Sequence, residues 1–261
     1  MVGFVLLTIA DLLINNKGWQ WDVVGQHLFS ESVLDGVVRT IQLTVLAELL
    51  GITVGIALAV MRLSPNPVLA WTSATVTWVF RGIPALVLLL FIYYFSALVP
   101  RLSIGIPFGP SWGDWETNKV ITQMTAAVVG LGLAQAGYVA EIVRGGILSV
   151  PPGQTRAALA LGMPPLRVMR HIVFPQAMRV VVPPLGNEVI SMLKATSLVS
   201  VIAYAELLTT VQVIYSRTFE QIPLLLVAVI WYGFLTTILT VVQSYIERRL
   251  AKSQKISRSA R

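Results

Sequence analysis

Five stretches of this 261-residue chain are apolar over lengths sufficient to cross a lipid bilayer: 33–61, 68–99, 121–148, 181–204 and 222–246. A helix needs roughly 20 residues to traverse the hydrocarbon core. Because lipid offers no hydrogen bonds, each backbone group in such a run must be paired within its own helix. Only 12% of the residues are charged, whereas soluble domains average about a quarter. The pattern predicts an all-α, polytopic membrane protein with five core spanning helices.

An earlier apolar run, at residues 2–14, is too short to span a bilayer and contains Asp11. It lacks the basic start and the small-residue cleavage site of a signal peptide. Two interpretations stay open for the N-terminal apolar segment and outer loop, residues 1–32. The run is either a short or truncated extra helix, or a segment that lies in the membrane interface.

Basic residues are concentrated in the connection between the third and fourth runs and in the C-terminal tail, residues 248–261. The opposite set of loops is poorer in basic residues and carries acidic ones. Arginine and lysine favour the cytoplasmic side, so this connection and the C-terminus are predicted to be cytoplasmic. Topology anchoring and attraction to anionic lipid explain the net charge of +7, and we expect no nucleic-acid partner.

The sequence contains no recognisable set of ligands for a metal ion or a nucleotide. The chain has no cysteine, and its two histidines, His27 and His171, fall on opposite sides of the predicted membrane. No paired metal-ligand spacing therefore exists, and no Gly-x-x-x-x-Gly-Lys-Ser/Thr phosphate loop is present. We expect a protein that is not an enzyme, has no metal or cofactor of its own, and cannot bind and hydrolyse ATP through such a phosphate loop.

The connection between the third and fourth runs has an internal organisation that a simple turn lacks. Ala157 and Ala158 favour a short helix, and Gly162 permits a reversal with positive φ. Pro165 suits the first turn of a second helix, which we expect to end at Pro175. A stiff loop of this kind suits contact with another protein. An amphipathic helix on the lipid surface is the alternative.

This connection resembles the EAA loop in permease subunits of bacterial ABC importers. The signature is Glu-Ala-Ala, three residues, Gly, nine residues, Ile, one residue and Leu-Pro, and the spacing from Arg156 to Pro175 is the same. Two positions differ, because Arg156 replaces the glutamate and Phe174 replaces the leucine. The resemblance assigns coupling to an ATPase to residues 151–177, and within them to Gly153, Arg156, Ala157, Ala158, Gly162, Ile172 and Pro175.

Three further segments resemble the polar amino-acid branch of that family, the histidine/glutamine permease-like proteins. They are Phe-Arg-Gly-Ile-Pro at 80–84, Tyr-Val-Ala-Glu-Ile-Val-Arg-Gly-Gly at 138–146, and Lys-Ala-Thr-Ser-Leu-Val-Ser-Val-Ile at 194–202. Ala195 stands where the family usually has aspartate. The resemblance implies the fold of a type I ABC importer transmembrane domain over residues 33–247.

The function that this resemblance implies is ATP-driven import of polar amino acids across the bacterial inner membrane by alternating access. The implied partners are a second permease subunit in a homo- or heterodimer, two ATPase subunits that hold ATP and Mg²⁺, and an external solute-binding protein. Two other classes stay open. A secondary transporter or channel would be expected to show inverted repeats or pore-lining charges, and a membrane scaffold would use the same loop to sense a loaded binding protein.

Polar residues inside the spans are candidates for the translocation pathway, because they are costly in lipid and usually face a bundle interior or a cavity. Lys194 could meet a substrate carboxylate, and we hypothesise that Glu48 pairs with it in place of the missing aspartate. Glu141 and Arg144 are three residues apart, so we expect a structural ion pair. Interhelical hydrogen bonding is the alternative for the neutral groups. The set for substrate binding or the pathway is Glu48, Gln135, Tyr138, Glu141, Lys194, Thr196 and Ser197.

Glycine and proline positions predict packing and bends within the spans. Gly130, Gly132 and Gly137 are expected to allow close helix packing. Pro183 and Pro184 are expected to break or kink the start of the fourth span.

Overall fold

The structure is a computed structural model that describes residues 16–106 and 111–259. The first half of the chain contains α1 (Trp21–Leu28), α2 (Glu31–Arg62), α3 (Pro67–Gly82) and α4 (Ala85–Tyr93), with 3-10 turns at Lys17–Trp19 and Tyr94–Ala97. The apolar run at 2–14 lies outside the described residues, so its two interpretations both stand.

A short hairpin separates the two halves, with β1 (Arg101–Gly105) antiparallel to β2 (Ser111–Glu116). The second half contains α5 (Thr117–Val120), α6 (Gln123–Leu148), α7 (Pro152–Ala160), α8 (Pro165–Val168), α9 (Phe174–Ala195), α10 (Leu207–Thr218) and α11 (Gln221–Ser259). A π-helical turn at Met169–Val173 joins α8 to α9, and a 3-10 segment at Thr196–Ile202 follows α9. The sequence did not lead us to expect the hairpin.

Within residues 16–106 and 111–259, four helical segments are long and apolar enough to cross a membrane: Glu31–Arg62, Gln123–Leu148, Pro165–Ile202 and Gln221–Leu250. The bent pair Pro67–Gly82 and Ala85–Ala97 makes a fifth when it is counted as one span. The predicted all-α polytopic fold is confirmed, and the predicted number of five core spans holds on that count. The basic tail, predicted to begin at 248, continues α11 as helix.

Helix α6 is the centre of the bundle, and small residues let α2 approach it closely. A Cβ atom built on Gly55 of α2 would lie 2.6 Å from the Cβ of Val139 on α6. The expected packing role of three α6 glycines is confirmed, since added Cβ atoms would lie 2.8 Å from Leu89 at Gly130, 2.9 Å from Leu50 at Gly132 and 2.8 Å from Arg81 at Gly137. Close approach of this kind is a common means of helix association in membranes.

The second predicted span, drawn as one run at 68–99, is broken in two. Helix α3 ends at Gly82, α4 begins at Ala85, and their axes differ by 99°. Pro84 explains the break, because proline has no N–H to donate and disfavours helical backbone at the preceding residue. Ile83 is accordingly extended, with ψ at 128°. A single continuous helix at this position was the wrong prediction.

The fourth span starts earlier than predicted and runs through its prolines. Residues 165–202 form one helical segment, so a second loop helix that ends at Pro175 is a wrong prediction. Pro175 instead lies in the first turn of α9, directly after the π-helical turn at Met169–Val173. Of the break or kink predicted at Pro183 and Pro184, the break is absent, because both lie inside α9. Spanning helices tolerate interior proline when neighbouring groups satisfy the freed carbonyls.

A buried carboxylate fixes the helix ends that lie far from the 151–177 loop. Glu206 is fully buried and caps α10 by accepting from the backbone N–H of Thr209 at 2.7 Å. It also accepts from the hydroxyl of Tyr232 on α11 at 2.6 Å. The hydroxyl of Thr40 on α2 accepts from the N–H of Leu207 at 3.1 Å. Helices α2, α10 and α11 are thereby joined at one end.

Candidate functional site

The loop between α6 and α9 is a small folded unit with its own apolar core. Ala158 of α7 is buried against Val168, Val173 and Ala177, and Val150 completes the cluster. Since Val150 follows α6 and Ala177 belongs to α9, this core joins α7 to the ends of both spans. Packed side chains therefore connect α7 to the ends of α6 and α9.

Hydrogen bonds from one side-chain amide support this apolar core. The Nε2 of Gln176 on α9 donates to Oε1 of Gln154 on α7 at 2.6 Å and to the carbonyl of Ile172 at 2.7 Å. The loop is thus held to the start of α9 by hydrogen bonds as well as by packing.

Gly162 provides the reversal that ends α7. Its φ is +78°, in the left-handed region that glycine adopts without steric cost. Its N–H donates to the carbonyl of Leu159 at 3.0 Å, and the N–H of Met163 donates to that of Ala158 at 3.1 Å. No atom lies within 4 Å of a Cβ built there. Backbone conformation, and not crowding, is the reason for glycine at this position.

Two leucines project from the loop with almost no protein around them. Leu161 is 84% exposed and Leu166 is 81% exposed. The same loop carries three exposed cations, Arg156, Arg167 and Arg170, and none has a carboxylate within 4 Å in the described parts of the chain. We call these five residues the coupling surface. It combines apolar and basic side chains and contains no acidic one, because residues 151–180 have no aspartate or glutamate.

The residues assigned to coupling from the sequence fall into two groups. Gly153, Arg156, Ala157 and Gly162 are exposed on the loop, and Pro175 is exposed in the first turn of α9. Ala158 is buried, and Ile172 packs half-buried on the same apolar cluster, so these two hold the loop together. The exposed leucines of the coupling surface and the amide of Gln176 were missed. Their signal was apolar and amide side chains inside an otherwise basic loop.

A polar cluster lies in the bundle interior, where α2, α6 and α9 meet. Glu48 of α2 is 6% exposed, and Gln135 of α6 and Glu188 of α9 lie near it. The Nε2 of Gln135 donates to Oε2 of Glu188 at 3.1 Å. Neither carboxylate oxygen of Glu48 has a hydrogen-bond partner among the described residues. No group of three or more acidic or histidine side chains in residues 16–106 and 111–259 is arranged to hold a metal ion.

The hypothesised ion pair between Glu48 and Lys194 is not formed. The ion pairs within 4 Å in the described ranges do not include Lys194, which is exposed on α9. Glu48 points instead into the interior beside Gln135. Next to the lysine, the hydroxyl of Thr196 is buried and donates to the carbonyl of Leu193 at 2.7 Å, while Ser197 donates to the carbonyl of Lys194 at 2.7 Å. Both hydroxyls thus satisfy backbone groups.

Tyr138 and Glu141 lie on one side of α6, beside α3. The expected structural pair is confirmed, with Nη2 of Arg144 2.7 Å from Oε2 of Glu141 and Nε at 3.0 Å from the same oxygen. The guanidinium of Arg81 lies 5.6 Å from the centroid of the Tyr138 ring. Arg81 was quoted in a family motif but was not recognised as a site residue. A basic residue beside a Gly-Ile-Pro break inside an apolar run was the signal available.

Known proteins are similar to this chain over most of its length. Residues 51–252 match the family model described as binding-protein-dependent transport system inner membrane component. The chain is 41% identical over 250 residues to the arginine transport system permease protein ArgU of Corynebacterium glutamicum, covering 95% of this chain and 77% of that protein. It is 35% identical over 231 residues to the L-cystine transport system permease protein TcyB of Bacillus subtilis, covering 88% and 91%.

A solved structure is similar in both sequence and fold. It is a crystal structure of an amino acid ABC transporter with histidines, at a TM-score of 0.70 and 35% identity. The match covers 84% of this chain and 94% of the other.

Proposed function

The chain belongs to the family of binding-protein-dependent transport system inner membrane components, and from this premise we propose how it works and what it carries. It is the membrane-spanning permease subunit of an ABC importer, a multi-pass inner membrane protein that works with a separate ATPase subunit. We propose that its cargo is a polar amino acid. Relatives named for arginine and cystine transport support this substrate class.

The observation that carries the mechanism is the folded loop between α6 and α9. An ATPase that closes on nucleotide can move the spans only through a stiff element. The apolar core around Ala158 and the amide of Gln176 make the loop such an element, and join it to the ends of both spans. We propose that closure of the ATPase subunits pushes the coupling surface and displaces the ends of α6 and α9 together. The permease then alternates between outward-open and inward-open states.

The motion continues into the bundle through contacts between the same two helices. Gly146 of α6 packs against Ala177 and Val181 of α9 near the loop. Further along, Gln135 and Glu188 join α6 to α9 by a hydrogen bond. We propose that the Glu48, Gln135 and Glu188 cluster lines part of the translocation pathway, where a buried, unpartnered carboxylate is available to a cationic group of the cargo.

The coupling surface fits an apolar pocket with an acidic rim on each ATPase subunit. Its exposed leucines supply the area to be buried, and its arginines supply charge. The loop and the C-terminus then lie in the cytoplasm, and an external solute-binding protein delivers cargo at the opposite end of the bundle.

Reconstitution of the complete transporter tests this function. The permease, its ATPase subunit and its solute-binding protein are placed in liposomes, and uptake of labelled L-arginine, L-glutamine, L-glutamate and L-cystine is measured with ATP present or absent. We expect ATP-dependent accumulation of at least one of them. Uptake that needs no ATP would favour a channel or secondary transporter. ATP hydrolysis without accumulation of any amino acid would favour a scaffold.

A variant of the coupling surface tests the docking site separately. Leu161→Asp places a charge in the proposed apolar contact, whereas Leu161→Met keeps its size and polarity. We expect the aspartate variant to lose its ATPase subunit during purification and the methionine variant to retain it. Equal retention by both variants would place the contact elsewhere.

A further inference from the structure

An unpaired cation lies within the broken span. Arg81 is the penultimate residue of α3, exposed, and without a carboxylate within 4 Å in the described part of the chain. Its neighbour is the face of Tyr138, with the guanidinium carbon 5.6 Å from the ring centroid. A charged side chain inside a span is costly unless it faces a cavity or binds a partner. Arg81 is therefore free to bind an anion, because no carboxylate of the described residues lies within 4 Å of it.

A cavity is present at this position. It has a volume of about 460 Å³ and is lined by Thr77, Trp78, Arg81, Gly82, Tyr138 and Glu141. Cavities of roughly 300–1,000 Å³ hold small-molecule ligands. The lining combines a cation, hydroxyl groups, an aromatic wall and a carboxylate, which is the chemistry that a zwitterion needs. Oε2 of Glu141 accepts both bonds from Arg144, and the other carboxylate oxygen remains available.

We propose that this cavity is a substrate site in which Arg81 binds the α-carboxylate of the transported amino acid. Glu141 faces the same cavity and provides a carboxylate for the ammonium group. The aromatic wall of Tyr138 and Trp78 covers the carbon skeleton. This assignment rests on the proposed function, because it takes the cargo to be an amino acid. Its new element is Arg81 as the residue that recognises the carboxylate.

The test compares ligands that differ only in that carboxylate. The permease–ATPase complex, purified without the solute-binding protein, is titrated with L-arginine and its decarboxylated analogue agmatine, and with L-glutamate and 4-aminobutanoate. In the natural complex we expect the amino acid of at least one pair to bind tenfold or more tightly than its analogue. Hydrogen bonds to charged groups are worth roughly this factor or more. In Arg81→Gln the preference should fall to about threefold or less, and Arg81→Lys should restore part of it.

Arg62→Gln is the matched control, because Arg62 is an exposed arginine at the end of α2 that donates to the carbonyl of Ala70 and does not line the cavity. We expect it to retain the full preference. A variant that retains the ATPase subunit during purification has an intact fold. If Arg81→Gln loses that subunit, the carboxylate preference of Arg81→Lys is used for the test instead. An unchanged preference in Arg81→Gln, or the absence of binding to the natural complex, would overturn the proposal.

A lipid phosphate is the other anion that could reach Arg81. Loss of bound phosphatidylglycerol in Arg81→Gln with unchanged amino-acid binding would assign the cavity to lipid and overturn the substrate site. ATP-driven uptake by the complete natural transporter is scored independently. Intact uptake with an unchanged carboxylate preference would refute this site and leave the proposed function standing.

Discussion

Replacement of Gly162 by alanine isolates the contribution of one backbone angle to the stability of the loop at residues 151–177, called the coupling loop below. A Cβ at this position meets no atom within 4 Å, so the substitution creates no clash. It does place an L-residue at φ +78°, which costs roughly 1–2 kcal/mol. The strain destabilises the closed conformation of the loop by this amount, because only that conformation holds residue 162 at positive φ. The population of the opened loop should therefore rise about 5- to 30-fold.

Hydrogen exchange measures this change directly. The amides of Gly162 and Met163 are protected by the carbonyls of Leu159 and Ala158 in the reversal. Their exchange in the purified complex should accelerate by the same 5- to 30-fold, because local opening governs exchange. Gly162→Asn should accelerate it less, since asparagine tolerates the left-handed region better than alanine.

Gly153→Ala is the matched control. Gly153 is also exposed, and a Cβ there also meets nothing within 4 Å, but it lies in helix α7 with an ordinary backbone angle. Alanine should stabilise this helix by roughly 0.5–1 kcal/mol. Exchange of the amides of Gly162 and Met163 should therefore slow. Equal acceleration in both variants would refute the reasoning, because it would show that the conformation at 162 is not the cause.

Two further predictions concern stability and are read from thermal unfolding of the purified complex. Glu206→Ala removes a helix cap, worth roughly 1 kcal/mol, and removes the carboxylate that accepts from the half-buried hydroxyl of Tyr232, at roughly 1–3 kcal/mol. We expect a loss of about 2–4 kcal/mol, and a loss near zero would contradict the capping role. Gly55→Ala should cost about 1–3 kcal/mol by overpacking against Val139, whereas Gly25→Ala, where a Cβ meets nothing within 4 Å, should cost nothing. Equal effects of the two alanines would show that the α2–α6 contact is looser than described.

The sequence was sufficient for the spans because burial in lipid imposes a length and a composition. It was insufficient for their ends and bends, which depend on individual contacts. The break at Ile83 was visible in the Gly-Ile-Pro triplet, yet hydropathy alone continued the run through it. Pro183 and Pro184 suggested a break that is not there, since neighbouring helices support α9. One proline breaks its helix and two others do not, and only the packing distinguishes them.

Within the coupling loop, the spacing predicted the helix, the glycine reversal and the proline restart. It could not say which residues face outward. Ala158 and Ala157 are adjacent and alike in the sequence, but one is buried in the loop core and the other is exposed. Leu161 is likewise exposed, directly before the reversal at Gly162.

The interior polar groups were recognised by residue type, but their partners were not. Glu141 and Arg144 were predicted to pair because both lie on one helix at a spacing that fixes their contact. Glu48 and Lys194 lie on different helices, and their relative rotation is set by packing that no local pattern records. Arg81 was not recognised for the same reason. Its contact with Tyr138 joins two helices that are far apart in the sequence.

The central claim, that the coupling surface seats on the ATPase, is tested most directly by one labelling rate. The chain contains no cysteine, so Leu161→Cys introduces a unique thiol on this surface. Its rate of reaction with a maleimide should fall at least tenfold when the ATPase subunit is bound. Trp112→Cys, at an exposed position on the hairpin, should react at an unchanged rate. A thiol at 161 that stays equally reactive in a transporter actively importing amino acids would contradict the account.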